Sequence, residues 1–396
     1  MPTRPRSFAE HLDPAVTPKR ILALDGGGLR GVLTLGMLRE METLLRERFG
    51  GDPGFRLAHY FDLIAGTSTG AIIAAALALG MSVDEVHGHY LALGQKVFKR
   101  SLLRFGALRA KYDAADVARA LKAVYGERLL SSPDFQTGLL VMCKRLDTGS
   151  PWPLTNNPRA RYFGLRPDSR VIPNGEFPLW RVVRASTAAP HYFDPETMVI
   201  SKADRERGLA AINGEFVDGG VSPFNNPALQ ALMTATMEGY HFSWAPGPEQ
   251  LLVVSVGTGK ANPALGLSSG LAATAGIHAV RSLASLMEDC GDLVESTLQW
   301  LSASPTARVI DRDMQRAAPP LGGTPMLAYL RYNVLFDADW CAEHLQIEKT
   351  AKELAALEVM DKPGNIDALD SLGRLAGRKL VHGGHFPTAF DEGVNI

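Results

Sequence analysis

The sequence predicts a three-layer α/β/α architecture around a mainly parallel central sheet, with an integrated helical extension in the C-terminal part. Two observations carry that prediction. Short apolar runs of strand length alternate with stretches whose apolar residues recur at helical spacing, the pattern of strands joined through crossover helices. Two glycine-framed turns also stand between an apolar run and an apolar helix. They are Asp25-Gly26-Gly27-Gly28-Leu29-Arg30-Gly31, after residues 21–24, and Gly66-Thr67-Ser68-Thr69-Gly70, after residues 61–65. Further continuous apolar runs at 139–142 and 251–256 fit a parallel sheet covered on both faces.

In chain order, residues 1–19 form a proline-punctuated arm, expected to be loosely ordered. After the first glycine turn, Leu35, Leu38, Met41 and Leu45 mark one face of a helix. Residues 71–79 are apolar almost all round, so their helix should be buried. Leu179, Val182, Val183 and Ser186 follow helical spacing, and Pro190 limits that helix. Asn226-Pro227 supplies an N-cap and a first helical position for a helix running to about Met237. The stretch 262–276, rich in Gly, Ala and Ser, reads as an insertion or mobile loop. Beyond it, 277–301 and 340–357 read as amphipathic helices flanking a strand at 330–336. The resulting division is an arm (1–19), a core (20–231), and a C-terminal part (232–396) that continues the sheet and adds helices.

Composition excludes more than it assigns. Hydrophobic residues make up 46% and charged residues 21%, ordinary proportions for a globular protein. Forty-one basic residues against 42 acidic give a formal charge of −1, so no global field favours a nucleic-acid polymer or anionic lipid. Cys143, Cys290 and Cys341 lie far apart with no CxxC spacing. That argues against a disulfide framework or a zinc site and favours a reducing compartment. Cys143 sits beside an apolar run and reads as a buried free thiol. The N-terminal prolines, with no apolar stretch among them, do not make a signal peptide. Charge interrupts every long apolar stretch before membrane-spanning length. The expectation is a cytoplasmic protein without a transmembrane segment. Oligomeric state is not legible.

The chemistry lies in the turns. A G-x-S-x-G turn between strand and helix holds a serine, here Ser68, on a strained bend at a helix N-terminus. A triple-glycine turn beside it can offer bare backbone N–H groups to a developing oxyanion, with Gly27 and Gly28 the better placed donors. Together they read as a serine acyl hydrolase. The same glycines satisfy G-x-G-x-x-G, but a dinucleotide site needs an acidic residue about 20 positions on, at a strand end. Counting forward reaches the loop Gly51-Asp52-Pro53-Gly54 instead, and no Lys-Ser/Thr follows to make a Walker loop. Arg30 could face an anionic head group or brace a carboxylate. For the base, His241, His278 and His344 could nominally complete a triad, and none sits in a context that singles it out. Asp218 ends the apolar pair Phe216-Val217 and precedes Gly219-Gly220, so its carboxylate emerges at a strand end.

These three motifs occur in the order and approximate spacing of the patatin-like phospholipase family, which the chain resembles. Residues 185–193 are similar to the family's segment ahead of its aspartate, and Asn225-Asn226-Pro227 looks like bacterial members. The resemblance is strong over about 20–260 and thinner through 360–366. It implies a Ser-Asp dyad without histidine. Ser68 is then the nucleophile and Asp218 the proton acceptor, while Gly26, Gly27, Gly28, Leu29, Arg30 and Gly31 form the oxyanion hole. Gly66, Thr67, Thr69, Gly70, Gly219 and Gly220 complete the motifs. It further implies cleavage of glycerolipid esters, without metal or organic cofactor, on a lipid or membrane-surface substrate. Aspartate, with an unperturbed pKa of about 3.9, needs desolvation to act as a base. Two alternatives stand beside this reading: an α/β-hydrolase esterase with a histidine triad, and a lipid-binding protein without turnover. Some bacterial members also resemble nucleotide-activated effectors of phage defence, a minor expectation about regulation.

Residues 96–111 carry six basic side chains (Lys96, Lys99, Arg100, Arg104, Arg109, Lys111) and no acidic one, interleaved with apolar residues. That suits an element lying in a lipid interface, with peripheral membrane contact. A cationic helix packing its apolar side on the core is the plainer reading and the preferred one.

Overall fold

The computed structural model describes residues 4–97, 112–164, 169–190, 192–260, 275–310 and 320–394. Nine strands appear among them: β1 (Lys19–Leu24), β2 (Leu63–Thr67), β3 (Gly138–Arg145), β4 (Pro151–Thr155), β5 (Glu196–Ser201), β6 (Ile212–Asp218), β7 (Leu251–Val256), β8 (Ser302–Ala303) and β9 (Leu327–Tyr332). They form one sheet in the order β5-β6-β3-β2-β1-β7-β9-β8, with β4 added on β3. The centre, from β3 through β2, β1 and β7 to β9, is parallel, and β4, β5 and β6 supply the antiparallel pairings.

Both faces of the sheet are covered, which is why its strands read as continuous apolar runs. Successive residues of β1 enter opposite cores: Leu22 and Leu24 join one cluster, Ile21 and Ala23 the other. The first cluster includes the helices Gly31–Arg48 and Thr69–Ala78, and the second the helix Ala228–Thr236 and part of Ala275–Leu301. Every residue of Thr69–Ala78 is buried, as its unbroken apolar sequence requires.

Three local readings change. The arm is packed rather than loose from residue 4 onward. Ser7 and Glu10 close a capping box on the helix Phe8–Leu12. Arg6 Nη1 and His11 Nδ1 each lie 2.8 Å from Oδ1 of the buried Asp62, whose Oδ2 accepts the Arg20 N–H at 2.8 Å. The expected helix over 340–357 is broken. Gln346 adopts φ +58°, and Thr350 caps a separate helix, Ala351–Leu357. The strand expected at 330–336 lies at Leu327–Tyr332. The Gly/Ala/Ser-rich stretch falls outside the described residues except at Ala275 and Gly276, which open the helix Ala275–Leu301.

The register positions the site. Leu24 of β1 lies opposite Gly66 of β2 and Val256 of β7, so both glycine turns emerge at the same edge. The strand β4 occupies one side of β3 over Leu140–Lys144, which leaves β2 and β6 end to end on the other. Thr67 pairs with Met142 and Asp218 with Cys143, so neighbouring residues of β3 hold the ends of both strands.

Candidate active site

Ser68 follows Thr67 out of β2 and takes φ +55°, the strained conformation of a nucleophile turn. Its flanking glycines are required by close approach. A Cβ at Gly66 would lie 2.2 Å from the Gly70 carbonyl oxygen, and one at Gly70 would lie 2.2 Å from that of Leu24. The Ser68 N–H donates to Ser186 Oγ at 2.9 Å, and the Ser186 hydroxyl donates to the Met142 carbonyl, which ties the bend to β3. Thr67 Oγ1 donates to the Phe224 carbonyl at 2.7 Å, and Thr69 opens the buried helix.

Asp218 ends β6 and is only 4% exposed. Its Oδ1 accepts the Gly220 N–H at 2.7 Å. Burial pushes its carboxyl up to about 6, against the opposing effects of the Ser68 hydroxyl, the Gly220 N–H and the charge of Arg184. The group therefore stays ionised at neutral pH yet is far more basic than an exposed aspartate. Gly219 has no room for a side chain, since its Cβ would lie 2.6 Å from the Met142 carbonyl oxygen.

The glycine turn divides its residues between tasks. The Gly26 N–H donates to the Asn225 carbonyl at 3.1 Å, Leu29 N–H to Met360 at 2.7 Å, Arg30 N–H to Gly27 at 3.2 Å, and Gly31 N–H back into the turn. Among the described residues, the Gly27 and Gly28 N–H groups meet no acceptor. Gly28 has φ +59°, and Tyr90 anchors its carbonyl at 2.6 Å. Behind the turn, Asp25 takes a two-pronged ion pair from Arg331, at 3.0 and 2.6 Å, and Thr258 Oγ1 donates to the Gly26 carbonyl at 2.9 Å.

A cavity of about 300 Å³ opens on this group. Gly27, Gly28, Leu29, Ser68, Asp218 and Gly220 line it, facing apolar side chains such as Ile72, Leu93, Phe193 and Met287. Gly26 and Arg30 line a second, polar pocket on the other side of the turn, and Gly31 lines neither. The described residues lining the cavity include no histidine. His344 stacks on Trp340, while His191 and the side chain of His278 lie outside the described residues. Sequence placed Ser186 on a helix without giving it a role at the site, and Arg331 was not singled out. Arg331 left one trace, a charge inside the apolar strand run Leu327–Tyr332.

The profile of the patatin-like phospholipases matches residues 22–232, which holds both glycine turns and Asp218. The chain belongs to this family. A cGAMP-activated phospholipase of Vibrio cholerae is 32% identical over 222 residues, covering 52% of this chain and 58% of that protein. A cUMP-AMP-activated phospholipase of Escherichia coli is 32% identical over 240 residues, covering 61% and 64%. The probable inactive patatin-like protein 9 of Arabidopsis thaliana is 28% identical over 250 residues, covering 61% and 60%. The chain thus spans less than two thirds of each relative. Among the described residues of this patatin-like phospholipase, no helix is long and apolar enough to cross a membrane, and no group of three or more His, Cys, Asp or Glu side chains is placed to hold a metal ion.

Proposed function

We propose that this patatin-like phospholipase is a lipid acyl hydrolase that cleaves carboxylic ester bonds of glycerolipids through Ser68 and Asp218. The observation that supports this most is the meeting of the strained serine with a buried, unusually basic carboxylate at the wall of a largely apolar cavity. Ser68 attacks the ester carbonyl while Asp218 takes its proton. The free N–H groups of Gly27 and Gly28 receive the oxyanion. The lysolipid or alcohol leaves with the proton, and water then hydrolyses the acyl-enzyme. Arg30, on the far side of the turn, does not face the reacting carbonyl in this scheme.

Defined phospholipid and glyceride vesicles, with mass spectrometry of released fatty acids, test the activity. Ser68→Ala and Asp218→Ala should each abolish release while the circular dichroism stays native. Full activity in either variant removes the dyad. A triad esterase would instead collapse on replacement of a histidine, and a non-catalytic lipid binder would resist labelling by a fluorophosphonate.

A second reading concerns regulation. Two relatives are named for activation by cyclic dinucleotides, which supports a nucleotide-activated phospholipase here. Unchanged activity in the presence of cGAMP and of cUMP-AMP would dismiss those two ligands. The basic stretch reaches the described residues only at positions 96 and 97, so its membrane role rests on sequence. Reversing the charge of Arg100 and Arg104 should weaken binding to anionic vesicles if that stretch touches lipid.

A further inference from the structure

The second pocket, of about 60 Å³, sits behind the glycine turn and differs in character from the first. Its walls include Asp25, Arg30, Asn226, Thr258, Lys260 and Arg331. Two of its cations are already paired, Lys260 with Asp292 and Arg331 with Asp25. Four side-chain atoms of its wall residues are buried without a protein hydrogen bond: the donors Arg30 Nε, Asn226 Nδ2 and Arg331 Nε and the acceptor Asn225 Oδ1. Leaving such a group unmet is costly, so each one favours a polar occupant. The ligand that fits must both donate and accept, and a water occupies about 30 Å³ of liquid. The pocket therefore has room for water.

It also adjoins the reaction. Asn225, Met287 and Met360 line both cavities. A Cβ placed on Gly220 would lie 2.9 Å from Asn225 Oδ1 and 3.1 Å from Asp218 Oδ1, so the two oxygens flank the same glycine. A Cβ on Gly26 would lie 2.5 Å from Asn225 Oδ1 and 3.0 Å from the Ser68 Cβ. The Asn225 amide thus stands between the polar pocket and both reacting side chains.

We propose that this pocket supplies the water that hydrolyses the acyl-enzyme, and that Asn225 is the positioning residue that holds that water against Asp218. The proposal rests on the Ser-Asp reading above. Lipid chains fill the front cavity during turnover, so a polar route from behind keeps water available without opening the apolar side. The water oxygen bonds to the acyl carbon as one of its protons passes to the Asp218 carboxylate. The acyl–Oγ bond then breaks, Ser68 Oγ recovers the proton from Asp218, and the fatty acid leaves.

Asn225→Leu keeps the number of heavy atoms and removes the amide. With a nitrophenyl ester as substrate, this variant should form acyl-enzyme within about threefold of the wild-type rate and hydrolyse it at least 10-fold more slowly. A burst should appear, and intact-mass spectra should show the acyl adduct accumulating. Equal losses in the burst and steady-state rates, or wild-type hydrolysis, overturn the proposal. Should Asn225→Leu fail to fold, Asn225→Ala, which removes the same amide without adding bulk, is measured in the same way against the same outcomes. Fluorophosphonate labelling of the wild-type protein keeps the two ideas apart. No adduct on Ser68 sinks the serine reading itself, whereas an adduct without acyl-enzyme accumulation in the variant sinks only the water route.

Discussion

Two turns in this chain share the sequence Asp-Gly-Gly, and the fold uses them in opposite ways. Asp25 directly follows β1 and Asp218 ends β6, and both are buried, at 6% and 4% exposure. Asp25 is clamped by both prongs of the Arg331 guanidinium. Burial alone would lower the Arg331 pKa, but the Asp25 and Glu295 carboxylates raise it, so the cation is secure. Asp218 has no ion pair among the described residues; its contacts are an N–H group and the Ser68 hydroxyl. Burial pushes both carboxyls up, but at Asp25 the charge and hydrogen bonds of Arg331 oppose it directly and hold the turn in shape, whereas Asp218 has no such ion pair. The motif sets the backbone, and the partner sets the chemistry.

Asparagine at each position breaks the comparison most directly. Asp218→Asn should lower hydrolysis by about 1000-fold or more, the scale expected when one member of a coupled catalytic pair is lost, measured as fatty-acid release at pH 8. Asp25→Asn leaves the Arg331 charge buried beside a neutral amide and should destabilise the fold by about 3–5 kcal/mol, read by urea unfolding. Asp218→Asn should do the reverse and stabilise the protein by about 2–3 kcal/mol at pH 8. Here the sign follows from linkage. The folded pKa of about 6 lies above the unfolded value, so this group's stabilising contribution is complete below about pH 4 and is lost as pH rises through 6. The advantage of the asparagine variant should accordingly vanish near pH 4, and an equal advantage at both pH values would contradict the assignment. The smallest effect is on the wild-type rate: kcat/KM should fall about tenfold per pH unit below about 6 as Asp218 takes up its proton.

What was legible in the sequence was local. The turns, the alternation of strands and helices, and the doubly covered sheet follow from glycine placement and apolar spacing within a few residues. What escaped depends on partners remote along the chain. Ser186 matters because it links the Ser68 N–H to β3, and Arg331 because it meets Asp25 across more than three hundred positions. The arm looked loose because its anchor, Asp62, draws Arg6, His11 and Arg20 from separate segments. The break between 340 and 357 turns on Gln346, a residue type that gives no warning of a left-handed conformation. The free amides of Gly27 and Gly28 were foreseeable, but the facing of Arg30 into a different pocket required knowing what packs behind the turn.

The neighbour relations of β1 have a practical consequence for anyone cutting this protein down. The stretch matched by the family profile stops at 232, whereas β1 pairs along its whole length with residues 251–256, and Arg331 comes from the strand beyond. A fragment ending at 232 would bare a six-residue row of amide and carbonyl groups on a hydrophobic strand, the surface that invites chains to stack on one another. It would also strand Asp25 without its counter-charge. Such a fragment should precipitate on expression, and the shortest well-behaved piece must reach past β9.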